Sequence, residues 1–235
     1  MKRPLPVLAV AIGTLLAMVG TPALAAPPPN PLLPASGSLA GHSGGELLGE
    51  ELRQLFELPA GDNPLAGKGG SCFATADAKV LIVWTRDPAP TCPVPPGTLK
   101  PGTPTFLFAA YAECSNLEAV PFHGDTEEDQ RQCAETALKD SLVPAIKAIL
   151  VSIDSRRPTD IFSDRYRAVS PQMTANLPVD NSFVPPLPTS PPLTFVATGW
   201  VAMIPPLPPG EHTISVSVVL TDGTPLDSAV VVAGR

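Results

Sequence analysis

Residues 213–218 alternate polar and apolar side chains: Thr213, Ser215 and Ser217 are polar, Ile214, Val216 and Val218 are apolar, and Leu220 continues the apolar row. A period of two turns one side of such a segment to a core and the other to water, which is the geometry of a half-buried β-strand. Just upstream, the apolar run 200–204 stops at Pro205-Pro206-Leu207-Pro208-Pro209-Gly210. The two runs and their Pro-rich connection predict a β-hairpin over 198–218 that closes a sheet. Proline reinforces the β reading. With 32 prolines in 235 residues, long uninterrupted helices are excluded and short strands joined by rigid turns are favoured.

The first 25 residues have the form of a secretory signal peptide: Lys2 and Arg3, an apolar run over 7–19, and Ala23-Leu24-Ala25 as the cleavage site. The run is shorter than the ~20 residues of a membrane span, and no second long apolar segment follows it, so no integral membrane segment is expected after cleavage. Residues 26–45 are rich in Pro, Gly, Ser and Ala and read as a flexible leader. Residues 46–235 are left as one domain. Without Lys2 and Arg3 the net charge of −7 becomes −9. Phosphate backbones and anionic surfaces repel such a chain, which argues against nucleic acid as a partner.

Four cysteines, Cys72, Cys92, Cys114 and Cys133, enter an oxidising compartment and imply two disulfides with three possible connectivities. Joining Cys72 to Cys92 and Cys114 to Cys133 is favoured; each bond closes a loop of about 20 residues and contributes ~3 kcal/mol in the chain-entropy model. A metal centre is not expected: the chain has no Cys-x-x-Cys, and no His lies near a Cys at ligand spacing. No cofactor motif is present either.

Ser43-Gly44-Gly45-Glu46 forms a capping box, and Leu47, Leu48, Leu52, Leu55 and Phe56 recur at helical spacing, predicting a helix over 46–58. Strands are predicted over 79–85, 105–111, 148–154, 193–197, 200–204, 213–220 and 228–232, with Asp222-Gly223 as the turn between the last two. Asp125-Thr126-Glu127-Glu128 opens a second helix with Cys133, Ala134, Ala137, Leu138 and Leu142 as its stripe and Pro144 as its end. Residues 171–192 read as a long surface loop. Many short strands with few helices describe a mainly β fold, an antiparallel, jelly-roll-like β-sandwich with one or two short flanking helices.

Landmarks in this order resemble a family of uncharacterised secreted bacterial proteins. They are Asn63-Pro64-Leu65, Gly70 with Cys72, Cys92-Pro93-Val94-Pro95-Pro96-Gly97, Glu113-Cys114, Tyr166-Arg167 with Ser170, Gly199-Trp200, and Pro206-Leu207-Pro208-Pro209-Gly210-Glu211-His212-Thr213-Ile214. The chain departs from the family pattern at Thr198, where Asp is usual, and at Asp154-Ser155, where Asp-Gly is usual. The resemblance implies a secreted β-rich domain and brings no activity with it.

Several residues invite a chemical reading. Gly41-His42-Ser43-Gly44-Gly45 matches a hydrolase nucleophile elbow, but no buried strand precedes it, and Ser43 reads better as a helix cap. His212 is in phase with Ile214, so it faces inward and is expected to brace the hairpin turn. Asp125, Glu127, Glu128 and Asp129 read as a solvated helix start rather than glycosidase acids, with His123 adding only a weak cation site. Trp84 and Trp200 lie in apolar runs and read as core, while Arg156-Arg157 and Arg165-Tyr166-Arg167 make the basic patch. His212, Trp200, Tyr166 and Arg167 are the binding candidates; no catalytic residue is assigned. The expected role is a non-catalytic, exported binding protein for a glycan or envelope component, the alternatives being a secreted polysaccharide hydrolase and a structural envelope protein.

Overall fold

The computed structural model describes residues 31–66, 71–84, 88–91, 100 and 102–234. The predicted signal peptide, Gly70 and the Cys92 to Gly97 motif lie outside them. The strands before the second helix are Ser38–Leu39 (β1), His42–Ser43 (β2), Ser71–Ala74 (β3), Leu81–Trp84 (β4), Pro88–Thr91 (β5) and Thr105–Ser115 (β6). After it come Ile146–Ile153 (β7), Thr159–Asp160 (β8), Arg167–Val169 (β9), Met173–Ala175 (β10), Leu193–Ile204 (β11), Gly210–Leu220 (β12) and Pro225–Gly234 (β13). Gly44–Phe56 is α1 and Glu127–Ala137 is α2.

Two sheets form the sandwich. One is six-stranded, ordered β10-β11-β6-β4-β3 with β9 also paired to β11; the other is five-stranded, ordered β5-β13-β12-β7-β8. The ladders are antiparallel except β4 with β6 and β13 with β5. Between the sheets, Val83, Leu107, Ala202 and Ile204 meet Ile149, Val151, Ile153, Ile214, Val216 and Val230. The outer face of the six-stranded sheet carries a second core, where Ile82, Phe106, Phe108, Phe195 and Met203 are covered by Leu47, Leu48, Leu52, Leu55 and Phe56 of α1. Strands β6 and β11 are thus buried on both faces, and this is why they read as continuous apolar runs without alternation.

A β-bulge adjusts the faces of β6. Trp200 pairs with Ala110 and Val201 with Phe108, so Ala109 is the extra residue. Before the bulge Phe106 and Phe108 face α1; after it Tyr111 does.

Helix α1 starts as predicted. The Ser43 hydroxyl accepts the Glu46 amide, and the Glu46 carboxylate returns to the Ser43 amide at 2.7 Å. Its glycines let it lie directly on the sheet, since a Cβ at Gly49 would come within 2.7 Å of Met173. The disulfide Cys114–Cys133 forms as expected and ties α2 to β6. Cys72 is also disulfide-bonded, and its expected partner Cys92 lies outside the described residues. No helix among the described residues is long and apolar enough to cross a membrane.

Four expectations differ. The predicted hairpin over 198–218 does not form: β11 belongs to the six-stranded sheet and β12 to the five-stranded one. Four prolines over 205–209 remove the donors a ladder needs, and a five-residue extended segment of ~3.1 Å per residue bridges sheets ~10 Å apart. Leu207, 9% exposed, inserts into the inter-sheet core on the way. The predicted strands 193–197 and 200–204 are one twelve-residue strand. From residue 31 the leader is structural rather than flexible: Leu33 bridges Met203, β1 pairs with β2, and Leu39 is 2% exposed. Beyond α2 the chain runs through a π-helical segment, Leu138–Leu142, and a last turn, Val143–Ala145, before β7 starts at Ile146.

The 171–192 loop contains β10 and is pinned to the body. Asn181 donates to the Pro178 and Leu187 carbonyls, and Phe183 packs 5.2 Å from Phe56.

Candidate functional site

The Cys114–Cys133 bond and the buried Leu138 fix α2 and its π-helical extension against the sandwich. Opposite them runs the 3-10 turn Asp164–Tyr166, which leads into β9. The two walls enclose a groove of about 580 Å³ whose lining includes Gln132, Glu135, Lys139, Phe162, Arg167 and Trp200. π-Helical segments arise where the regular ladder yields to another demand, often a functional one.

Strand register builds the floor. Trp200 on β11 pairs directly with Arg167 on β9, which sets the two side chains beside each other on one face. The Trp200 ring lies 4.7 Å from that of Phe162, tilted by 50°, and with 4% of its surface exposed it offers an edge rather than a stacking platform. The Arg167 guanidinium stands 3.6 Å from Glu135 and donates more weakly to the Thr198 hydroxyl at 3.4 Å. Both signs of charge therefore edge an aromatic floor. Such a lining suits a ligand that offers donors and acceptors together with some apolar surface.

Of the four predicted candidates, the structure brings Trp200 and Arg167 into this groove. Tyr166 is 8% exposed, belongs to the inter-sheet core and lies beneath the Arg165 guanidinium at 5.6 Å. His212 is elsewhere. Its Nδ1 lies 2.6 Å from the Asp154 carboxylate and its Nε2 2.8 Å from the Pro208 carbonyl. It braces the crossover between the sheets rather than a hairpin turn. The hydrogen bond that His212 donates to the Asp154 carboxylate raises the His212 pKa, more than burial lowers it. Asp154 also accepts the Thr213 amide and, with Ser155, holds a positive φ, so this turn forms with two residues where glycine would be least strained.

The remaining predicted motifs are structural. Ser43 caps α1, Thr126 and Asp129 form the capping box of α2, and Glu127 pairs with Arg131 at 2.6 Å. His123 bonds to Asp125 and to the Glu118 carbonyl. Trp84 lies beside Phe108, with ring centroids 6.3 Å apart.

A second set of polar groups lies beneath α1. Glu51 is fully buried, and neither carboxyl oxygen has a hydrogen-bond partner among the described residues. Burial pushes its pKa well up against a weaker opposing influence of the Phe108 amide. Glu113, on the same outer face of β6, is pushed up to about 8 by burial and by Glu118, which is itself raised by burial. The sequence carried a signal for Glu51: it lies three residues after Leu48 and four before Leu55, inside the apolar stripe. For Glu113 the bulge at Ala109 decides the facing, and nothing in the sequence announces it. Among the described residues no group of three or more His, Cys, Asp or Glu side chains is placed to hold a metal ion.

A second opening of about 440 Å³ is lined by residues of both sheets, including Val83, Leu107, Val218, Leu226 and Asp227. Comparison with protein-family models, with curated proteins and with solved structures yields no match to this chain.

Proposed function

We propose that the chain is an exported, non-catalytic binding protein that takes its ligand in the groove between α2 and Asp164–Tyr166. The observation that carries this reading is the pairing of Arg167 with Trp200 in a groove of about 580 Å³. The lining mixes hydroxyl, amide and charged groups around an aromatic edge, which suits a polyhydroxylated ligand such as a glycan of the cell envelope. A purely structural role would leave such a groove without a use. The disulfide Cys114–Cys133 and the signal-peptide-like start support an oxidising, exported setting, as does the resemblance to secreted bacterial proteins.

Binding of the full chain to a panel of envelope glycans tests this. A Kd that weakens at least tenfold on Arg167→Ala, with thermal stability retained, supports the reading; equal binding by both proteins overturns the site. The hydrolase reading has one observation in its favour, because Glu135 and Asp164 come from opposite walls of the groove. Release of reducing ends from polysaccharide by the wild type, abolished in Glu135→Gln, would establish it in place of simple binding.

A further inference from the structure

Among the described side chains, Glu51 stands apart. It is 0% exposed and both carboxyl oxygens are unpartnered among the described residues. An ionised carboxylate without partners is among the costliest groups to bury, and a neutral carboxyl costs far less. Among the described residues the cations near α1 are all engaged elsewhere. On α1 itself, Arg53 is taken by Glu50 and Glu57, and Glu46 by Ser43. From β2, His42 turns to Asp77; from α2, Arg131 turns to Glu127; from β9, Arg167 turns to Glu135. The Phe108 amide favours the ionised form of Glu51, but less than burial disfavours it, and the charged groups nearby are acidic: Tyr111 on β6 is raised by burial first and then by Glu113, Glu118 and Glu51.

The position of Glu51 makes this more than a local defect. Leu48, Leu52 and Leu55 around it hold α1 on the outer face of the six-stranded sheet, over the aromatic row of Trp84, Phe108 and Tyr111. We propose that α1 is a proton-dependent cover: Glu51 seats it on the sheet in the neutral form, and ionisation of Glu51 lifts it from the aromatic row. The cover is closed in acid and loosens as the pH rises. Any partner that binds the exposed row is then coupled to proton release by linkage. This device is independent of the groove on α2.

Hydrogen exchange of the full chain reads it out. Opening of amides 47–56, corrected for the intrinsic exchange rate, should increase about tenfold per pH unit for each proton released as pH rises from 5 to 8. Glu51→Gln should lower that dependence by one proton. Glu113→Gln should leave the Glu51 proton in place. Amides of β12 and β13 should keep their protection throughout, which separates release of the cover from global unfolding. An unchanged slope in Glu51→Gln, or simultaneous exchange of β12 and β13, overturns the proposal. Infrared spectroscopy gives a second check: the neutral carboxyl C=O band at pH 7 must lose intensity in Glu51→Gln relative to the wild type, and equal intensity in the two proteins overturns the proposal as well.

Discussion

His212 and Glu51 are both ionisable side chains carried inward by regular elements, one on β12 and the other on α1, and their settings are opposite. His212 is 9% exposed and both ring nitrogens are bonded, to Asp154 and to the Pro208 carbonyl. Glu51 is 0% exposed and bonded to nothing among the described residues. The first uses its polarity to fix a crossover that would otherwise depend on packing alone. The second works against the packing that holds it. The difference shows that burial of a polar group has no fixed sign: its effect on stability follows from what the fold supplies around it.

The most severe way to sharpen the contrast is to create a second Glu51 in the inter-sheet core. Ile214→Asp places a carboxylate among Ile153, Val216 and Val230, and an uncompensated buried charge there should cost about 3–5 kcal/mol and abolish cooperative unfolding. An unchanged melting temperature would show that Ile214 does not face the core. Next in size, His212→Ala strips the brace and leaves the Asp154 carboxylate without its imidazole; a loss of about 2 kcal/mol is expected by denaturant unfolding. A loss below a few tenths would make the brace incidental.

Glu51→Leu should act in the other direction. Removing the unsatisfied carboxyl should stabilise the protein by about 1–3 kcal/mol at pH 8 and by much less at pH 5. Equal gains at both pH values would mean that Glu51 does not titrate with opening. The smallest effect is expected at the turn. Ser155 holds φ +58°, so Ser155→Gly should gain up to about 1 kcal/mol by relieving backbone strain.

The pH profile of the wild type combines both settings. His212, whose pKa is raised, contributes stability that is complete below its unfolded value of about 6.5 and is lost as pH rises through the folded value. Glu51 and Glu113 have raised carboxyl pKa values, so stability falls as pH rises from their unfolded value of about 4.3 towards the folded ones, about 8 for Glu113. Burial raises the Asp154 pKa, but the His212 and Thr213 bonds outweigh it and hold it low, so its contribution is lost only as pH falls through that lowered value. Thermal stability should therefore be greatest on the acid side of neutrality, between about pH 4 and 6.5. A maximum at pH 8 would contradict the signs of His212, Glu51 and Glu113.

Much of the fold was legible because the signals are local. The Ser43 capping box, the alternation along β12 and the Asp222-Gly223 turn joining it to β13 each lie within a few residues, and the structure contains all three. Candidate-site residues were legible only in part. Trp200 was read correctly as core, but its pairing with Arg167 joins segments more than thirty positions apart, and nothing near either residue specifies it. Glu51 was visible in the apolar stripe as a misfit. Its lack of a partner was not, since partners come from other elements.

By itself the sequence determined the kind of elements and their caps: prolines bar long helices, a period of two makes strands, and evenly spaced cysteines suit short disulfide loops. Tertiary structure alone decided which strands are neighbours. The apolar run of β11 looked like one arm of a hairpin with β12, but its continuous burial between α1 and the second sheet places it at the centre of a different layer. A strand buried on both faces has no periodicity with which to declare its partner, and the choice falls to long-range packing.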